Sequence, residues 1–187
     1  MKTVLRFIIG LCCLSAVVTC LSAPPTDPPV DHISKYDTSI RAEAEKIGWD
    51  WRLLASIIYH ESNFKPNLVN PKGAFGLMQL MPVTMTKYGI DQNSTVEEQL
   101  AAGGKLLLYF DRNLPESISD SLERCNFILA CYNGGLGHVL KARTRAEKQG
   151  RDPNIWTDNV EHHVHGQTHH FVKKVNERYN YYKTIIE

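Results

Sequence analysis

Glu61 closes the run Ile57-Ile58-Tyr59-His60-Glu61-Ser62, and its spacing from the apolar residues before it sets its chemistry. It lies three, four, seven and eight positions after Ile58, Ile57, Leu54 and Leu53. On a helix those positions share one stripe, so Glu61 extends an apolar face instead of standing apart from it. A carboxyl leaving such a face is desolvated, which lifts its pKa toward the range of a general acid. The ordinary alternative is a glutamate at a helix end in open solvent. Fifteen residues later comes Gly76-Leu77-Met78-Gln79-Leu80-Met81-Pro82, and some fifty residues after that Ala130-Cys131-Tyr132-Asn133-Gly134-Gly135. A single acid followed by two turn-forming segments rich in amide and aromatic groups suggests a polysaccharide-cleaving site. Gln79 and Asn133 supply amide donors and acceptors, and Tyr132 a hydroxyl with an apolar face suited to a sugar ring. Each also has a plain structural reading: Gln79 as a capping side chain, Tyr132 as a core aromatic, Asn133 as a helix C-cap. Met78 and Met81 fit packing, and Gly76, Gly134 and Gly135 fit turns or close approaches.

The elements that must position these groups are helical nearly throughout. Apolar periodicity and punctuation predict helices over 34–47 (stopped by Gly48) and 50–62 (capped by Asp50). Pro66, Asn70-Pro71 and Gly73 make 63–76 a loop with at most a short hairpin. Pro82 opens a short helix that Gly89 closes, and Ser94-Thr95-Val96-Glu97 reads as a capping box opening a helix to about Asn113. Residues 120–132 are apolar on most sides and form the buried central helix, ended by Gly134-Gly135. A helix over 136–149 follows, Asp152-Pro153 opens another, and Thr168 caps the last. With no run of strands and no repeat, the fold is a single, mainly α domain.

The chain of 187 residues is 43% hydrophobic, enough for one domain with a real core. Its formal net charge of +1 gives no basic surface for nucleic acid. Lys2 and Arg6 precede an apolar stretch over 7–18, too short for a comfortable transmembrane helix, so residues 1–20 read as an export signal. Val17-Val18-Thr19-Cys20 resembles a lipoprotein signal, which would tether the chain to a membrane through Cys20; Leu21-Ser22-Ala23 is the competing cleavage site. Residues 21–32 form a stiff Pro-rich linker, and 33–187 the folded domain. Localisation in a bacterial cell envelope, the periplasm or an outer-membrane lipoprotein pool, is the expectation. Cys125 and Cys131 lie six apart in one helix, about 9 Å along its axis, too far for a disulfide. His162, His163, His165, His169 and His170 match no strong zinc spacing, so neither metal nor cofactor is expected.

Three stretches stand in register: Trp51-Arg52-Leu53-Leu54-Ala55 leading to Glu61-Ser62, the segment from Asn70-Pro71 through Gly76-Leu77-Met78-Gln79 to Pro82, and Ala130-Cys131-Tyr132-Asn133-Gly134-Gly135. Together they resemble the lytic transglycosylase domain of the goose-lysozyme-like group, in particular the catalytic domain of membrane-bound lytic murein transglycosylase F. The likeness covers roughly residues 33–182 and is expected to reach the catalytic domain only, with no counterpart of that family's amino-terminal solute-binding-like domain. It implies a lysozyme-like fold of the α+β superfamily with a catalytic cleft, and peptidoglycan glycan strands as substrate. It also implies Glu61 as sole catalytic acid and base, with Ser62, Gln79, Met81, Tyr132 and Asn133 around the sugars. The implied reaction cleaves the β-1,4 bond between N-acetylmuramic acid and N-acetylglucosamine and leaves a 1,6-anhydromuramic acid end. The residues fit this: no acidic residue occurs within 73–82 or 130–135 to act as the second carboxylate of an ordinary glycosidase. A muramidase on the same fold and a non-catalytic peptidoglycan-binding lipoprotein are the alternatives. One departure stands out. The family often carries Glu-Thr-x-x-Tyr before the last helix, its hydroxyl near the acid; here the stretch is Gln167-Thr168-His169-His170-Phe171. Either another tyrosine supplies the hydroxyl or burial alone tunes Glu61.

Overall fold

The computed structural model describes residues 30–186; the expected signal, Cys20 and most of the linker lie outside them. Among the described residues the chain forms seven α-helices and one 3-10 turn: α1 Asp37–Ile47, α2 Trp51–Ser62, α3 Pro82–Tyr88, α4 Val96–Asn113, α5 Ser121–Gly134, α6 Leu136–Lys148, the 3-10 turn Val160–His163 and α7 Gly166–Ile185. β-structure among them is confined to two isolated bridges, Val69 with Phe75 and Phe75 with Leu80. The mainly α expectation holds.

Two helices form the centre. In α2 the residues Leu53, Leu54, Ala55, Ile57 and Ile58 are all buried, and in α5 the run Phe127-Ile128-Leu129-Ala130-Cys131 is buried on every side. A helix apolar all round belongs inside a fold. Helix α2 packs on α1 and α7, and α5 packs on α4, α6 and α7, so α7 bridges the two central helices. The start of α2 is tied to the chain's last turn. Arg52 pairs with Asp50 at 2.9 Å, its Nη1 donates to the Ile186 carbonyl oxygen, and the Tyr179 hydroxyl donates to Asp50. The Val30 N–H donates to the Ile185 carbonyl oxygen, so both ends of the described fold meet.

Four boundaries differ from expectation, each for a local reason. Helix α1 starts at Asp37 because that carboxylate accepts from the Ile33 and Ser34 amides and the Ser34 hydroxyl, holding residues 33–36 in a turn. The capping box sits one residue later than the sequence pattern indicates: Thr95 accepts from the Glu98 amide and Glu98 reaches back to the Thr95 amide. Glu97 is thereby free to accept from Ser39 of α1. No helix starts at Asp152-Pro153. Glu123 of α5 accepts from the Trp156 and Thr157 amides, and Arg143 of α6 holds the Pro153 carbonyl and the Asn154 side chain. These tertiary bonds take the groups a helix would use. Finally, α7 is capped by His165, whose Nδ1 accepts from the Gln167 amide; Thr168 lies inside the first turn, buried.

Cys125 and Cys131 are both free, and burial pushes the Cys131 thiol up to about 12. They are inert packing residues, as their spacing implies.

Candidate active site

Glu61 occupies the last turn of α2, which ends at Asn63 and Phe64 with backbone in the left-handed region (φ 49° and 59°). That reversal sends the chain away from the helix axis into the segment 65–81, which folds back beneath it. Asn70 makes the tip, its Oδ1 accepting from the Lys72 and Ala74 amides. Phe75 and Leu80 exchange both backbone hydrogen bonds, at 3.0 and 2.9 Å. Buried Gln99 of α4 supports the segment from behind: its Oε1 accepts from the Leu77 amide while its Nε2 donates to the Ser94 carbonyl. Nothing in the periodicity singled out Gln99 for this task; the one clue is a polar side chain one residue from Leu100 on the face of α4 that is buried.

A pocket of about 280 Å³ opens at Glu61, lined also by His60, Asn133, Gln167, His170, Phe171 and Lys174. Glu61 is its sole carboxylate. No hydrogen bond reaches the Glu61 carboxyl among the described residues, and burial alone raises its pKa from 4.5 to about 7. Desolvation favours the neutral form, so near neutral pH the group is close to half protonated. Among the described residues no tyrosine hydroxyl bonds to Glu61, and burial is the one cause of its raised pKa. Phe171 lines the pocket and stacks nearly parallel on Tyr132, with rings 6.5 Å apart. The Tyr132 phenol is held well above its ordinary value, first by burial and then by the charge of Glu61.

The fold brings some of the expected site residues to this pocket and uses others to build it. Asn133 lines it, its Oδ1 accepting from the Thr168 hydroxyl at 3.1 Å. Gly134 makes that approach possible, since a Cβ there would sit 2.7 Å from Thr168 Oγ1. Tyr132 stands behind it with its hydroxyl donated to the Met78 carbonyl oxygen. Ser62 is buried and its hydroxyl is committed to the scaffold, donating to the Leu77 carbonyl at 2.8 Å. Gln79 lies outside the lining. Its backbone is left-handed (φ 47°), and its Nε2 donates to the Leu68 and Gly76 carbonyls, so both amide protons brace the loop. Met81 lies outside the lining too, 43% exposed at the start of α3. Sequence reasoning passed over His60 and Lys174, and His170 joins them from the histidine-rich segment. They arrive from the neighbouring position on α2 and from the inner side of α7, a pairing no local pattern announces. His60 is fixed by a 2.9 Å contact of its Nε2 with the Lys174 carbonyl, and burial lowers its pKa.

A second, larger cavity of about 530 Å³ continues from the first, sharing Asn133 and Gln167 and reaching His138, Arg145, His163 and His165. The two together form a groove along the ends of α5 and α7.

Comparison with known proteins places this arrangement. The model of the transglycosylase SLT domain matches residues 38–155. The chain is 38% identical over 128 residues to a membrane-bound lytic murein transglycosylase F of Marinobacter nauticus, covering 68% of this chain and 25% of the relative. It is 41% identical over 126 residues to the protein of that name from Shewanella halifaxensis, covering 67% and 26%. It thus spans about a quarter of the length of the curated relatives it matches. Among solved structures it resembles the 70 kDa soluble lytic transglycosylase of Escherichia coli, with TM-score 0.58, 23% identity, and 79% of this chain on 24% of that one. An inactive mutant of lytic transglycosylase Slt from Pseudomonas aeruginosa superposes with TM-score 0.54 at 20% identity, over 80% of this chain and 24% of that one. The likeness to these structures shows a shared fold, and with the match over residues 38–155 the chain belongs to the transglycosylase SLT domain family.

Proposed function

We propose that this chain is a peptidoglycan lytic transglycosylase that cleaves the β-1,4 bond from N-acetylmuramic acid to N-acetylglucosamine, with Glu61 as its single acid and base. The observation that carries this reading is a lone carboxyl, raised to about 7 by burial, in a pocket with no second carboxylate. Protonated Glu61 gives its proton to the glycosidic oxygen as the bond from C1 to that oxygen breaks. The acetamido oxygen of the same muramyl ring attacks C1, taking the part of the missing nucleophile. Glu61, now a carboxylate, takes the proton of the muramyl 6-hydroxyl as O6 displaces the acetamido oxygen at C1. The enzyme returns to its starting protonation, a 1,6-anhydro ring is formed and no water is consumed. A group that must be acid in one step and base in the next works best with a pKa near the ambient pH.

Asn133, which lines the pocket, and Tyr132, stacked on the lining Phe171, support this reading, with Ser62 at the end of α2 and Gln79 and Met81 in the loop region beyond it as the groups that shape the approach. The names of the relatives favour an envelope location. Among the described residues no helix is long and apolar enough to cross a membrane. Attachment through a lipidated Cys20, with the Pro-rich segment as spacer, is part of the same proposal. The deciding experiment is product analysis from purified sacculi digested in ¹⁸O-labelled water. Transglycosylation yields unlabelled anhydromuramyl ends. A labelled reducing end as the main product would make this chain a muramidase.

A further inference from the structure

The histidine-rich segment matches no metal motif by spacing, yet the fold assembles a donor set there. Asp158, Glu161 and His162 each present a ligand atom, all within 4.8 Å of one another. The second Glu161 oxygen lies 3.2 Å from Nε2 of His169, one turn into α7. Ligand atoms around a tetrahedral zinc sit about 3.3 Å apart, given bonds of roughly 2.0–2.1 Å to nitrogen and oxygen. Glu161 and His169 are already at that separation. His162, 3.9 Å from the first Glu161 oxygen, is the exposed partner that must close in by a change of rotamer.

The backbone is preset for this. Asp158 is held in the left-handed region (φ 57°), where its amide donates to Glu161 Oε1 at 2.8 Å, and Arg151 grips its carbonyl oxygen at 2.6 Å. A plain ion pair would need Glu161 and one histidine. It gives no account of Asp158 and His162, whose ligand atoms gather within 4.8 Å of the same carboxylate that His169 approaches from α7.

We propose that Asp158, Glu161, His162 and His169 form a binding site for a borderline divalent cation, zinc in the first place. Two imidazoles and two carboxylates suit zinc and its neighbours, whereas calcium and magnesium select oxygen-only sets. Four protein ligands leave no open position, so the ion is structural and takes no part in the reaction. Its effect is to staple the 3-10 turn to the first turn of α7. His163 and Val164, next to His162, line the larger cavity, and His170 and Phe171, next to His169, line the Glu61 pocket. Cation occupancy therefore fixes one wall of each.

The test uses the full chain without a polyhistidine tag, stripped with chelator and titrated calorimetrically with zinc chloride, alongside His162→Gln, His169→Gln and, as a control, His138→Gln. Both ring positions are exposed, so their substitution leaves the core intact. The expected result is one zinc per chain, a Tm that rises with zinc concentration by mass action, and affinity weakened at least about tenfold in the His162 and His169 variants but not in the control. Absence of binding overturns the proposal, and so does binding that survives both substitutions or is lost only with His138, since the ion would then sit elsewhere.

Discussion

The Tyr132 hydroxyl donates to the main-chain carbonyl of Met78, joining the end of α5 to the middle of the loop that follows the acid-bearing helix. Two segments more than fifty residues apart are thus held by one part-buried bond. Replacing the tyrosine leaves a carbonyl without its partner. Tyr132→Phe is expected to cost about 1–3 kcal/mol of stability, read from urea denaturation. It should also lower turnover while leaving the Phe171 stacking surface in place. A variant as stable and active as the parent would show that the bond is incidental.

The burial of Glu61 comes at the expense of the fold. Its pKa rises from 4.5 unfolded to about 7 folded, so the native state binds the proton more tightly. Stability is unaffected below about pH 4.5, falls as the pH rises toward 7, and carries the full penalty above it. At about 1.4 kcal/mol per pKa unit the penalty is at most about 3 kcal/mol. Glu61→Gln should therefore melt higher than the parent at pH 8 and lose that advantage at pH 4.5, while cleavage of peptidoglycan falls roughly 10²–10⁴-fold. Equal melting temperatures at both pH values would contradict the burial of this carboxyl.

Phe171 offers a way to shift that pKa without touching Glu61. The parent should lose kcat/KM above about pH 7, as the acid form of the free enzyme disappears. Phe171→Tyr adds a hydroxyl to the wall of the same pocket, and a donor to the carboxylate favours the charged form. The alkaline limb of the pH profile should then move to lower pH. A profile that does not move would mean that the added hydroxyl fails to reach the carboxyl.

Gly76 is the tightest point of the loop. Its φ is +82°, and a Cβ there would lie 2.3 Å from Gln99 Oε1, the oxygen that holds the Leu77 amide. Gly76→Ala should destabilise the domain by more than about 2 kcal/mol through strain and the lost acceptor together. Gly137→Ala, where a Cβ meets nothing within 4 Å, serves as the neutral comparison. Thermal melts of the two variants decide it, and similar Tm values would refute the account.

Much of this was readable in advance because the relevant signals are local. Asp50 caps α2 by accepting from the Arg52 amide, Pro82 opens α3, Gly48 and Gly89 close their helices in the left-handed conformation, and the apolar stripe placed Glu61 on the inner face. What stayed hidden depends on partners distant in sequence. Ser62 and Gln79 have the composition of sugar-binding residues, but the carbonyls of Leu77, Leu68 and Gly76 take their protons. The loop over 151–159 carries a helix-start signal that Glu123 and Arg143 override from two other helices. The wall formed by His170 and Lys174 exists only because α7 returns to α2, a contact that no window along the chain contains.

The meeting of the two ends, through the bond from Val30 to Ile185, bears on topology. The domain is in effect a closed ring cut at one place, and the place of the cut is arbitrary so long as the joined segment is short. A circular permutant linking residue 186 to residue 30, and opened at the exposed turn around Gly150, would keep every helix and both neighbours of α2. In such a chain α7 would precede α1 and α2 in sequence. The acid-bearing helix and its bracing helix would become near neighbours in sequence, while α7 would move away from α5 and the 3-10 turn from α6. The permutant would therefore exchange one long-range pairing for two others and keep the same packing, with no gain in folding rate expected.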